Sequence, residues 1–338
     1  VNDRKCLYVN MNNFYFQGRG IADFAREFYN EGGRVLLIDQ VFKHPEWSPE
    51  LRKCYDMYPN LKIVFTGSSV MRLKEENPEL NNIVKSYNLR GFSFREFLNL
   101  KTGNHFRPYT LDEILRDHER IVKDILPKVS PLSFFQDYLH HGFYPFFQEQ
   151  RNYSENLLKT MNMVTEVDIL LIKQIELKYL TKIKKLFYLL ALEGNKAPNV
   201  SWLAQEIETS RATVMNYIKY LADARLINMI YPKGCEFPKK PSKVMMHNTN
   251  LMYAIYPIAV KRQDVMETFF VNTMWKDHNV NQGAKDDFYW VDGSLKFKIC
   301  NANDFEKKKF RQDTIYARYN TEVGKDNLIP LWLLGFLY

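Results

Sequence analysis

The stretch GGRVLLIDQVFKHPEW (residues 32–47) drives four apolar residues, Val35, Leu36, Leu37 and Ile38, straight into Asp39 and Gln40. An unbroken aliphatic run suits the centre of a parallel sheet covered on both faces. Ligands of such sheets sit beyond the carboxyl ends of the strands, so Asp39 falls at a functional edge. A carboxylate there can hold a magnesium ion, directly or through water. The next position is where a nucleotide hydrolase places a second carboxylate to deprotonate the attacking water, and the Gln40 amide cannot accept that proton. The plainer alternative is that Asp39 only caps the turn that follows.

Working outward, the neighbouring run KIVFTGSS (62–69) ends in small hydroxyl residues. Thr66, Ser68 or Ser69 at its tip could touch a terminal phosphate or the attacking water, although a simple turn uses the same residue types. Around these two strands the first hundred residues alternate CLYVNMNNFYF, IADFAREFY, RVLLI, SPELRKCYDMY and LKIVFTG, the βαβ rhythm of a parallel sheet. Ser48 with Pro49 after it predicts a capped start to the second helix. TLDE (110–113) reads as a capping box opening another helix, and helical periodicity persists to about Leu192.

The chain has 338 residues, enough for two or three compact units, and is 46% hydrophobic and 15% aromatic with few Gly and Pro. That composition excludes linker-like or low-complexity chain. A net charge of +8 makes a polyanion a plausible partner or simply aids solubility. Cys6, Cys54, Cys235 and Cys300 are far apart with no CxxC pair, which predicts neither a zinc cluster nor a disulfide framework and fits a reducing cytoplasm. His140, His141, His247 and His278 lack metal-ligand spacing. The longest apolar run, LIPLWLLGFLY (328–338), is shorter than the roughly 20 residues a membrane helix needs, and reads as a buried terminal strand. The chain begins at Val1 without a signal-peptide pattern, as though a natural segment lay upstream.

A third pattern occupies residues 199–231. A short helix over 201–207, a turn over 208–210 and a second helix from Arg211 form a helix-turn-helix, with LINMIY as the first wing strand. Val214, Tyr217, Ile218, Leu221 and Ala224 make the buried stripe. Arg211, Thr213, Asn216 and Lys219 fall on the opposite face, where a recognition helix meets bases and phosphates, or where a packing module is merely solvated. The basic stretch PKKPSK (238–243) marks a boundary, after which strands and helices mix. The organisation expected is thus 1–100, 101–238 and 239–338.

LLIDQVFKHPEWSPELRKCYDMYPNLKIVFTGSS with the later LRGFSFREFL (89–98), GFYPFF (142–147), KPSKVMMHNTNLMYAI (240–255), METFF (266–270) and the closing run resembles the bacterial and archaeal AAA+ ATPases that carry a winged helix and a C-terminal restriction-endonuclease-like domain of unknown function. The resemblance implies a P-loop NTPase-like parallel sheet, a helical and winged-helix middle and an α+β nuclease-like end. It further implies ATP and Mg²⁺ as cofactors, with Asp39 on the metal, Thr66 and Ser69 beside the nucleotide, Ser68 sensing the γ-phosphate, DNA as a partner and a homo-oligomer. The departures are as informative. No GxxxxGK[ST] phosphate loop occurs, so its cradle of backbone amides and lysine is missing from these residues, by an upstream segment lying outside the chain or by evolutionary loss. Gln40 stands where glutamate is usual, which implies binding without efficient turnover. Where a finger arginine is usual this chain has Asn81, Asn82 and Lys85. In the nuclease-like part Glu267 and Asp287 match acidic positions, but Lys298 stands where the pattern has glutamate. A cation there should repel a catalytic metal, favouring a folding or interaction scaffold. The competing reading is a non-enzymatic relative that binds DNA or protein through its winged helix.

Overall fold

Three parallel strands lie side by side at the N-terminal end of the computed structural model, which describes residues 4–71, 77–149, 152–283, 288–301 and 311–338. β1 (Cys6–Asn10) pairs with β2 (Val35–Asp39), and β2 with β3 (Lys62–Phe65); α1 (Ile21–Asn30) and α2 (Trp47–Met57) are the crossovers. The register sets Asn10 against Asp39 and Ile38 against Phe65, so all three strands end together. Leu36 and Ile38 are buried with Ile21, Ala25 and Phe28 of α1 and Leu51 and Cys54 of α2. Each such large aliphatic contributes about 1.5–3 kcal/mol when removed from water, which fixes the sheet's inner face.

Two local readings change. The first strand stops at Asn10, because Asn13 caps a short 3-10 turn over Phe14–Phe16, its side chain accepting from the Tyr15 amide at 3.0 Å. Local Asn capping there outcompetes continued strand. Likewise α2 begins at Trp47, so Ser48 sits inside it, and its hydroxyl donates to the Glu79 carboxylate instead of capping the helix.

The chain divides into two compact units: Val1–Leu89 with Asp168–Ile175, and Arg90–Val167 with Glu176–Tyr338. The second opens with α3 (Phe94–Thr102) and α4 (Leu111–Ile125). Both carry full capping boxes, Ser93 with Glu96 and Thr110 with Glu113, the latter as the TLDE pattern predicts. α5 (Pro131–His141) and α6 (Tyr153–Met163) follow. α6 runs on through a π-helical turn, Val164–Ile169, into the single turn α7 (Leu170–Ile172), and α8 (Leu180–Glu193) comes next. α9 (Val200–Glu206) and α10 (Arg211–Asp223) are then joined by a short turn and succeeded by an antiparallel pair, β4 (Ile227–Ile230) and β5 (Lys243–Met246).

Beyond β5 lie α11 (Thr249–Ile255), α12 (Arg262–Met274) and a five-stranded sheet. Its strands are β6 (Val280–Gln282), β7 (Tyr289–Val291), β8 (Leu295–Asn301), β9 (Ile315–Tyr319) and β10 (Leu328–Pro330), adjacent in that order. The three from β6 to β8 are antiparallel and the last two join in parallel. The closing apolar run is buried but is a strand only over Leu328–Pro330, since Pro330 has no N–H for the ladder. Leu331–Phe336 then coils as a 3-10 helix whose every residue is buried. Gly335 is required there: a Cβ on it would stand 2.5 Å from Phe94 Cβ.

Candidate functional site

Asp39 emerges from β2 at the carboxyl edge of the parallel sheet, and each neighbouring strand sends a group to it. From β1, Tyr8 donates its hydroxyl to Oδ2 at 2.9 Å and Asn10 donates its amide to the same oxygen at 2.9 Å. From the end of β3, the Thr66 hydroxyl donates to Oδ1. All three donors are uncharged, so they hold the carboxylate in place without cancelling its negative charge, and among the described residues no ion pair to it is seen. Sequence reasoning found Asp39 and Thr66 but not Tyr8 and Asn10, which only the β1–β2 register brings beside it.

Gln40 follows in the left-handed region, φ 57° and ψ 48°, a conformation that costs a non-glycine residue on the order of 1 kcal/mol. Its amide N–H donates to Thr66 Oγ1 at 3.1 Å, and Val41 N–H donates to the Thr66 carbonyl at 3.0 Å. The kink thus locks the tip of β2 to that of β3 and turns the chain into the 3-10 turn Val41–Lys43. Ser68, two residues beyond Thr66, donates to Asp168 Oδ2 at 2.6 Å and accepts from Val70 N–H at 3.3 Å. Asp168 belongs to the same compact unit and was not foreseen. Burial pushes its carboxyl up from the ordinary carboxylate range, against the Ser68 hydrogen bond and the Lys43 charge. Ser69 is exposed on the same loop.

In the second unit, α10 buries Val214, Tyr217, Ile218 and Leu221, the stripe expected from its spacing, and Ser210 caps it by accepting from Thr213 N–H at 3.1 Å. Arg211 and Asn216 are exposed on the other face. Thr213 shares its hydroxyl with Ser210 at 2.9 Å, and Lys219 is paired with Asp223 one turn on, so these two are turned to local use. An open depression of about 330 Å³ lies against this face. Met215, Phe237 and Pro238 give it an apolar floor, and Arg211, Asn216 and Lys240 give it polar walls.

Glu267 of α12 is buried and consumed. Its Oε2 accepts from Lys243 Nζ at 2.8 Å and from Tyr289 hydroxyl at 2.6 Å, while Oε1 accepts from Gln263 at 3.0 Å. Lys298 lies elsewhere. Phe297 packs its ring 5.3 Å from Phe270 of α12, so by strand alternation Lys298 faces the opposite side of β8, with its ammonium 5.2 Å from the Phe288 ring. Glu267 and Lys298 are therefore not brought together; Asp287 lies outside the described residues. Among the described residues no three His, Cys, Asp or Glu side chains gather to hold a metal. His247 meets Asn228 Oδ1 at 2.9 Å, and burial with the charges of Arg225 and Arg90 pushes it down to about 3. All four cysteines are free, and burial pushes the Cys54 thiol up to about 12.

Residues 1–98 match the model of an AAA domain. The match supports an AAA-like P-loop NTPase family for the N-terminal segment, in keeping with its parallel sheet. A second model, of a domain of unknown function, matches residues 133–262. An uncharacterized protein of Methanocaldococcus jannaschii is 27% identical over 248 residues, covering 69% of this chain and 52% of its own length. The chain thus spans about half the length of the curated relative it matches.

The AAA-like segment can be tested against the group such a family implies. Mg²⁺ takes one or two carboxylates and keeps several waters, and Asp39, steadied by three neutral donors, fits that demand. Asp39 would hold the ion, which when bound would supply positive charge against the phosphates. The phosphate cradle is another matter, because the sequence contains no GxxxxGK[ST]. The residues present suit the metal and the outermost phosphate, not the inner ones. No helix among the described residues is long and apolar enough to cross a membrane.

Proposed function

We propose that this protein binds ATP with Mg²⁺ at the tips of β1, β2 and β3 and turns it over slowly, if at all, using nucleotide state to govern a winged-helix unit that contacts DNA or a protein partner. Asp39 takes the metal, with Tyr8, Asn10 and Thr66 fixing its rotamer. Thr66 and Ser69 border the nucleotide, and Ser68 meets the terminal phosphate. Gln40 has the shape of a catalytic glutamate but no basicity, so water is oriented without being deprotonated. Arg211 and Asn216, with Lys240 across the depression, are the groups available to phosphates and base edges. Glu267, already neutralised by Lys243, serves as scaffold in a restriction-endonuclease-like fold rather than as a metal ligand. A homo-oligomer belongs to the same proposal.

The observation that carries this reading is the half-exposed Asp39 carboxylate, aimed from a central parallel strand and held, among the described residues, by the neutral donors Tyr8, Asn10 and Thr66. Isothermal titration of the chain with ATP and Mg²⁺, beside Gln40→Glu, tests it. Binding in both with turnover only in the variant is expected. Lack of binding in both, with DNA bound regardless of nucleotide, would favour the second reading of a non-enzymatic DNA- or protein-binding module.

A further inference from the structure

Asp168 is a carboxylate for which the nucleotide reading has no use, and it stands on the one hydroxyl that reading assigns to the terminal phosphate. A serine hydroxyl has a single proton to donate. Ser68 gives its proton to Asp168 Oδ2 at 2.6 Å, and the Ser68 hydroxyl oxygen already accepts from Val70 N–H. It cannot donate to a phosphate oxygen at the same time. Lys43, on the turn that follows Gln40, supplies the positive charge that favours an anion at this position. A hydroxyl donor with a nearby ammonium is the usual equipment for a phosphate oxygen. Asp168 itself comes from a π-helical turn, Val164–Ile169, a form of helix found disproportionately at functional positions.

We propose that Asp168 is a built-in competitor for the terminal phosphate: its carboxylate occupies the anion position on the Ser68 hydroxyl, and a nucleoside triphosphate must displace it. The two anions exclude one another both by charge and by the shared proton. Binding of the triphosphate therefore releases residues 168–175 from Ser68, while a nucleoside monophosphate, which does not reach that position, leaves them in place. This rests on the nucleotide reading above and adds a reason for the site to respond to phosphate number.

The test uses the full chain, Asp168→Ala and the isosteric Asp168→Asn, titrated with Mg-ATP and with AMP, together with amide hydrogen exchange over residues 168–175. Asp168→Ala should bind Mg-ATP about tenfold more tightly, within the usual range of coupling between sites, with AMP affinity unchanged. Asp168→Asn should gain less, because it keeps the hydrogen-bond acceptor and loses only the charge. In the unaltered chain, Mg-ATP should speed exchange over 168–175 and AMP should not. Mg-ATP bound by all three proteins with one affinity, or exchange indifferent to Mg-ATP, would overturn the competition alone. Failure of every protein to bind Mg-ATP would overturn the nucleotide reading and this inference with it.

Discussion

Two buried or half-buried acids, Asp39 and Glu267, show how the same functional group can be kept for use or used up. Asp39 stands where three strands end, and the hydrogen bonds it receives come from a phenol, an amide and a hydroxyl. Glu267 lies deep under β7 and β5 and receives the Lys243 ammonium. Neutral donors orient a carboxylate and leave its charge to attract an external cation. A buried ammonium cancels the charge and ties the acid into the fold. Placement alone therefore does not make an acidic residue a site; the charge of what holds it decides.

The contrast is sharpened most by removing one acid. Glu267→Ala strands the Lys243 ammonium in the interior and should cost about 3–5 kcal/mol, read from the denaturant midpoint of the second unit. Replacing the pair together, Lys243→Met with Glu267→Leu, should restore most of that loss, since matched apolar groups often replace a buried ion pair at little cost. If the single and double variants are equally unstable, Glu267 is not sealed by Lys243. The matching change at the strand tips, Asp39→Asn, should weaken Mg-ATP at least tenfold, about 1.4 kcal/mol, while shifting folding stability by less than that. A large stability loss with unchanged affinity would make Asp39 the structural acid.

Smaller effects follow from the surroundings of each unit. His247 is held below its ordinary value, so the unfolded chain takes up the proton first as pH falls. Its contribution is present above the unfolded value near 6.5 and is lost between there and about 3. Between pH 7 and pH 5 the second unit should lose on the order of 1 kcal/mol through this group, and His247→Asn should flatten that part of the profile. Smallest of all, Arg211→Ala should leave stability within about 0.5 kcal/mol and lower the salt slope of DNA binding by about 1. An unchanged slope would remove the α10 face from any phosphate contact.

The parallel sheet was legible because its aliphatic runs are continuous and its helices amphipathic, and the strand-tip position of Asp39 followed from the same run. Tyr8 and Asn10 were not, since nothing in CLYVN says which residue will stand opposite Asp39 until the register sets Asn10 there. Asp168 was further from reach: its partner Ser68 lies 100 residues away, and its neighbours in sequence read as ordinary amphipathic helix. Ser48 failed as a cap because Glu79, distant in sequence, claims its hydroxyl. The helix start at Thr110 succeeded because both halves of its capping box lie within four residues. Local chemistry was readable, and contacts across the sheet or between distant segments were not.

The most direct measurement replaces Mg²⁺ by Mn²⁺ and follows paramagnetic broadening of assigned amide signals as Mn-ATP is added. Signals of Asn10, Asp39, Gln40 and Thr66 should broaden first, and Asp39→Asn should abolish the effect. Broadening centred on other residues, or none at the strand tips with ATP demonstrably bound, would show that the acid at the end of β2 does not face a metal-nucleotide pocket.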